Sequence, residues 1–256
     1  MDRFTGLSTL LRYRRITPAA VFSLAVLVSL LVLPSSRVVN AATTSHLSTA
    51  CNAMADSIAT APTTGQLITV VAPSQRSSVA SLDVFQRVGT CFHLVGGPYD
   101  GEVGADGLSA HHHEGDDTTP IGLFAIQSTM YGIDADPGVA YRYHQLVCGD
   151  WWDEQSSSGL YNHFVHVRCD TTPPFSGDSE PLWEVSPQYD YFAVIEYNRS
   201  PVVPGRGSAI FLHVSIGAPT TGCVAIPRVD LLRVLRFLRP AQHPMIFIAT
   251  RQLLAR

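Results

Sequence analysis

Short apolar runs broken by Gly, Pro, Asn or Asp recur along most of the chain, and their length decides what they form. "QLITVVAP" (Gln66 to Pro73), "FAIQSTMYGI" (Phe124 to Ile133), "HFVHVRC" (His163 to Cys169), "YFAVIEYN" (Tyr191 to Asn198), "SAIFLHVS" (Ser208 to Ser215) and "MIFIAT" (Met245 to Thr250) are short and rich in β-branched or aromatic residues. Each is predicted to be a strand. One segment carries a helical repeat instead. In "PRVDLLRVLRFLRP", Val229, Leu232 and Leu235, with Phe237 and Leu238, fall near one face, Pro227 suits the first turn and Pro240 stops the helix. Arg233, Arg236 and Arg239 recur every three residues and read as a solvated face rather than a ridge for a polyanion. The expected fold class is mainly β, with one helix after the last cysteine.

The first forty residues have a different pattern. Arg3, Arg12, Arg14 and Arg15 precede an apolar run from Ala19 to Leu33, and the small-residue stretch Val39, Asn40, Ala41 follows. This is the layout of an export signal. The run is shorter than the roughly 20 residues that span a bilayer, so residues 1–41 are read as a cleaved signal peptide, and only an uncleaved one would tether the chain to a membrane. Residues 42–65, rich in Ala, Thr and Ser, read as an N-terminal extension or linker with one short helix, and residues 66–256 as one domain. The mature chain is thus expected to be secreted, in the extracytoplasmic envelope. Its charge fits no polyanion partner: the formal net charge is -4, no basic stripe follows the signal, and nucleic acid is excluded as a partner class.

Export makes the cysteine count informative. Five cysteines in an oxidising compartment leave at least one unable to pair within the chain. Cys148 and Cys169 flank a polar, Trp-bearing loop whose closure would contribute about 3 kcal/mol in the chain-entropy model, and they form the first expected disulfide. Cys51 in the extension and Cys91 at the start of "CFHLVG" form the second, stapling the N-terminus to the domain. Cys223 is left over. A free thiol in such a compartment suits nucleophilic catalysis, because a neighbouring imidazole can convert it to thiolate. His213 lies ten residues upstream on a predicted strand, and Gly222 permits a tight turn in which backbone N–H groups converge on a developing oxyanion. Burial of both residues in the core is the alternative reading of the same spacing.

"HVSIGAPTTGCVAI", with "GDDTTPIGLFAI" upstream and "NRSPVVPGRGSAIFLH" leading in, resembles the catalytic region of the L,D-transpeptidase (YkuD-domain) family of bacterial peptidoglycan enzymes, over roughly Leu67 to Thr250. The resemblance implies an L,D-transpeptidase-like β-sandwich, with Cys223 as nucleophile, His213 as general base oriented by a backbone carbonyl, and the amides around Thr221, Gly222 and Cys223 as oxyanion donors. It implies acyl transfer on peptidoglycan stem peptides through a thioester, or L,D-carboxypeptidase activity with water as acceptor, without metal or organic cofactor. It also implies that carbapenem-type β-lactams acylate the nucleophile. The chain departs from the family pattern at Thr221, where many members have a second histidine, at Ala225, where they carry Arg or Asn, and in a short segment between His213 and Cys223.

Other residues invite competing chemistry. His111, His112 and His113 stand beside Glu114, Asp116 and Asp117, but adjacent histidines on a loop lack the spacing of a closed tetrahedral zinc site. Trp151 and Trp152 are read either as a platform for glycan or peptide or as packing over the expected disulfide. Tyr131, Tyr161 and Asn162 are candidate cleft residues by position. Three function classes follow: a cysteine acyl-transferase or hydrolase, a non-catalytic cell-wall-binding module on the same scaffold, and a metal-dependent envelope protein.

Overall fold

The structure, a computed structural model, describes residues 50–175 and 179–254. The expected signal peptide, residues 1–41, and the start of the extension lie outside the described residues. The strands are β1 (Gln66–Ala72), β2 (Val79–Val88), β3 (Cys91–Glu102), β4 (Leu108–Ser109), β5 (Thr119–Pro120), β6 (Gly122–Gly132), β7 (Arg142–Gln145), β8 (Asp150–Asp153), β9 (His163–His166), β10 (Glu180–Pro181), β11 (Phe192–Ile195), β12 (Phe211–Val214), β13 (Val224–Ile226) and β14 (Met245–Thr250). The helices are α1 (Ala53–Ile58), α2 (Arg228–Phe237) and α3 (Arg251–Leu254).

The fold is mainly β. The main sheet runs β11-β12-β13-β3-β2-β1-β14-β6, and β6 pairs back onto β11, so these strands close into a barrel with β7 attached outside the ring. Closure satisfies the ladder groups that an open sheet leaves at its edges. Alternation along the strands sorts side chains into three cores. Ile68, Val70, Leu82, Leu212, Val214, Val224 and Ile226 lie in one, and α2 packs Leu231, Val234, Leu235 and Leu238 against them. This i, i+3, i+4, i+7 stripe corrects the expected helix face: Val229 is 61 % exposed, while Leu232 and Phe237 only flank the stripe. The arginines are spent within the protein, Arg236 by donating to the carbonyl of Pro137 at 2.7 Å. Arg233 pairs with Asp230 at 2.7 Å, and Arg239 donates to the carbonyls of Arg236, Phe237 and Leu238 at the helix end.

A second core covers the opposite face of the strand pair β12–β13. Phe211, Phe192, Val194 and Cys223 pack there with Trp152, Leu182 and Tyr189, which come from the segment between β7 and β11. The disulfide Cys148–Cys169, with Cα atoms 5.3 Å apart, closes the base of the β8–β9 hairpin in that segment. Trp152 is fully buried, edge-on to Phe211 with ring centroids 4.9 Å apart and its indole N–H donating to Asn162 Oδ1 at 3.0 Å. It packs over Phe211, on a strand of the barrel. Trp151, on the other side of β8, meets Trp183 and Phe175.

The disulfide Cys51–Cys91 ties the N-terminus to β3, where α1 sets Ala55 and Ala59 against Leu67, Phe85 and Phe92. Asn52 caps α1 by accepting from the Ala55 N–H, and Asp56 accepts from the Phe92 N–H at 2.7 Å. Cys223 is the remaining, free thiol.

Candidate active site

Strands β12 and β13 are parallel neighbours, so the chain must travel back along the sheet between them, and residues 215–223 make that return. The register sets Leu212 opposite Val224 and His213 opposite Ala225. With side chains alternating, Phe211, His213, Cys223 and Ala225 share the face turned away from the first core. Cys223 and His213 are therefore diagonal neighbours on one wall. Both line a cavity of ≈ 170 Å³, together with Glu180, Tyr189 and Thr221.

The return loop is clamped at its end. The Ala105 N–H donates to Thr220 O, the Thr220 N–H donates to Val103 O, and the hydroxyls of Thr119 and Thr220 both donate to Cys223 O. Gly222 has φ +154, and a Cβ there would stand 3.1 Å from Ile210 Cδ1 and 3.2 Å from Thr118 O, so a side chain on the residue before the thiol would be strained and crowded. In the resting site the Gly222 N–H donates to Thr220 Oγ1 at 3.2 Å.

His213 donates from Nδ1 to the backbone carbonyl of Val214 at 2.9 Å, the type of partner that the resemblance implies. A carbonyl only accepts, so the hydrogen is on Nδ1 and the lone pair is on Nε2. Tyr189 meets the imidazole edge-on with ring centroids 5.7 Å apart. Burial pulls the His213 pKa down to about 4, against the small opposing effect of the Val214 carbonyl, so the base is neutral near pH 7. Burial likewise pushes the Cys223 thiol well up, helped by the negative charge of Glu180 and opposed by the Phe211 N–H, which donates to Sγ at 3.3 Å. The resting thiol donates to the Ala209 carbonyl at 3.1 Å. Thiol and imidazole are thus both neutral in the resting site. Burial also raises Glu180, to about 7, although Tyr189 Oη donates to its Oε2 at 2.5 Å and favours the ionised form.

A second cavity, of ≈ 260 Å³, opens onto the same sulfur. It shares Glu180, Thr221 and Cys223 with the first and adds His112, Glu114 and Glu154. The histidine run diverges on its loop: His112 is buried with Nδ1 2.8 Å from Asp116 Oδ1, whereas His113 reaches Asp116 Oδ2 from the exposed side and His111 faces solvent. The three rings do not converge on a point. Among the described residues the grouping of three potential metal donors is Cys51, Cys91 and His93, and two of its sulfurs are spent on a disulfide.

No protein-family model, no curated protein and no solved structure matches the chain. The site has to be judged by its geometry. Cys223 and Thr221 line both cavities, His213 lines the first and Gly222 the second, whereas Tyr131, Tyr161 and Asn162 line neither. Tyr131 stacks on Phe192 in the second core. Tyr161 donates to Glu114, and Asn162 joins segments by accepting from Trp152 Nε1 and the Ala209 N–H while donating to Tyr197 O and Asn198 O. Sequence reasoning missed Glu180 and Tyr189, which reach the cleft from the disulfide-bearing segment and carry no local motif.

Proposed function

We propose that this chain is an extracytoplasmic cysteine acyl-transferase of the L,D-transpeptidase type, acting on peptidoglycan stem peptides. One observation carries the reading: an unpaired thiol and an imidazole with its lone pair on Nε2 share one strand face and one cavity. Cys223 Sγ attacks the carbonyl of an amide between an L- and a D-centre near the end of a tetrapeptide stem, and His213 Nε2 takes the thiol proton. The C–N bond breaks, D-Ala leaves with that proton, and the acyl group stays on sulfur as a thioester. An amine of a second stem then forms the new amide and regenerates the thiol. The Gly222 amide exchanges its 3.2 Å bond to Thr220 for a shorter, charge-assisted one to the oxyanion, alongside the amides of Thr221 and Cys223. No step needs a metal or organic cofactor.

The two disulfides are compatible with an oxidising compartment, and no helix among the described residues is long and apolar enough to cross a membrane. One observation favours the binding-module reading: the thiol is protonated and bonded to Ala209 rather than to the base. Incubation of the purified protein with tetrapeptide stems, followed by mass spectrometry of the products, separates these. Cross-linked dimers with release of D-Ala are expected. Tripeptides alone assign a carboxypeptidase, and unchanged stems overturn the enzyme reading in favour of the binding module.

A further inference from the structure

Cavities at a single sulfur offer a substrate two approaches, and each of these is served by its own imidazole. His213 lines the smaller cavity and not the larger, while His112 lines the larger and not the smaller. His112 is 6 % exposed, and its Nδ1 lies 2.8 Å from Asp116 Oδ1 and 3.1 Å from Thr118 Oγ1. Thr118 Oγ1 itself donates to Asp116 Oδ1, so Nδ1 is the donor of this group and the lone pair is left on Nε2. Gly207 makes room for the ring, and Gly222 lies in contact distance of it. A Cβ at Gly207, φ +99, would lie 2.3 Å from Nε2, and one at Gly222, φ +154, would lie 3.6 Å from Cε1. The imidazole is thereby seated beside the residue that precedes the nucleophile.

Building on the acyl-transferase reading, we propose that His112, oriented by Asp116, is a second catalytic base that takes the proton of the acceptor amine in the larger cavity. The acceptor ammonium first gives up one proton to water, and the lone pair of the resulting neutral amine attacks the thioester carbonyl as the C–N bond forms. The nitrogen gives one proton to His112 Nε2, the C–S bond breaks with its electron pair returning to sulfur, and water reprotonates the sulfur while the imidazolium releases its proton to water. His213 serves thioester formation and His112 serves its resolution. Burial lowers the His112 pKa despite the adjacent carboxylate, which keeps the ring unprotonated and able to accept. Glu154 and Glu180 line the same cavity, which suits an acceptor that is a primary ammonium in solution.

The two half-reactions are measured separately by single-turnover mass spectrometry, with a tetrapeptide stem as donor and a D-amino acid in excess as acceptor. His112→Gln keeps the side chain's bulk and removes the base. Its thioester is expected to form within about threefold of the wild-type rate and to transfer to the amine roughly 100-fold more slowly, so that it accumulates. Asp116→Asn, which keeps the shape and removes the charge, is expected to slow transfer by about tenfold with the same selectivity, and gives the test should the first variant not fold. Equal slowing of both half-reactions, or aminolysis within threefold of wild type in either folded variant, overturns the assignment. Absence of any thioester on the wild-type protein overturns the acyl-transferase reading itself, and this inference with it.

Discussion

The two faces of the β12–β13 pair are buried equally and built for opposite ends. Leu212, Val214, Val224 and Ile226 on one face, and Phe211, His213, Cys223 and Ala225 on the other, are all no more than 6 % exposed. The first set meets barrel and α2 side chains and has no polar side-chain group to satisfy. The second set has a thiol and an imidazole, each bonded to backbone groups and each opening onto a cavity. Burial therefore does not separate core from site; the space left by the covering layer does. α2 packs against the first face, whereas the segment between β7 and β11 covers the second and brings Glu180 and Tyr189 to the gap.

The comparison breaks most sharply if truncation costs the same on both faces. Leu212→Ala leaves a cavity in a close-packed core and is expected to lower unfolding free energy by about 2–5 kcal/mol, read from urea denaturation, without a selective effect on thioester formation in the protein that remains folded. His213→Ala is the mirror case. It is expected to slow thioester formation roughly 100-fold, worth about 2.7 kcal/mol in the barrier, while the unfolding midpoint moves far less than for Leu212→Ala. Slowing of less than about threefold would mean that another group activates Cys223.

A smaller effect sharpens what the cavity face costs. The folded pKa of Glu180, raised from 4.5 to about 7, means that its stabilising protonated form is fully present below pH 4.5 and is lost as pH rises through 7. His213 acts in the opposite sense: its folded pKa, lowered from 6.5 to about 4, gives stability that is complete above 6.5 and lost as pH falls through 4. Glu180→Gln removes the first effect and keeps the second. Between pH 5 and pH 8 the wild type is expected to lose about 2–3 kcal/mol relative to this variant, and a constant difference across that range would show that Glu180 is not desolvated in the fold.

Much of this arrangement is written locally. β1, β12 and β14 are recognisable because β-branched runs end at clear breakers, and the thiol left over from two disulfides is a matter of counting. β2 and β3 are harder to read. The alternation along β2 breaks where Val84 and Phe85, consecutive in sequence, are both buried in different cores, and the register shifts there; β3 carries Gly96, Gly97 and Pro98 in mid-strand. Val229 misleads because the helix face is set by what α2 packs on, not by which apolar residue comes first. Glu180, Tyr189 and His112 were not legible as a group. They join Cys223 only through the covering segment and the loop before β5, and no spacing along the chain encodes that meeting.

The central claim is that Cys223 accepts an acyl group on this face. Carbapenem-type β-lactams carry a strained carbonyl that such a thiol opens, and the adduct is read directly as intact-protein mass. The account predicts a gain of one drug equivalent on the wild-type protein, mapped to the peptide that contains Cys223, and no gain on Cys223→Ala. Labelling that persists in the Cys223→Ala protein, or no adduct after long incubation with several carbapenems, would contradict it.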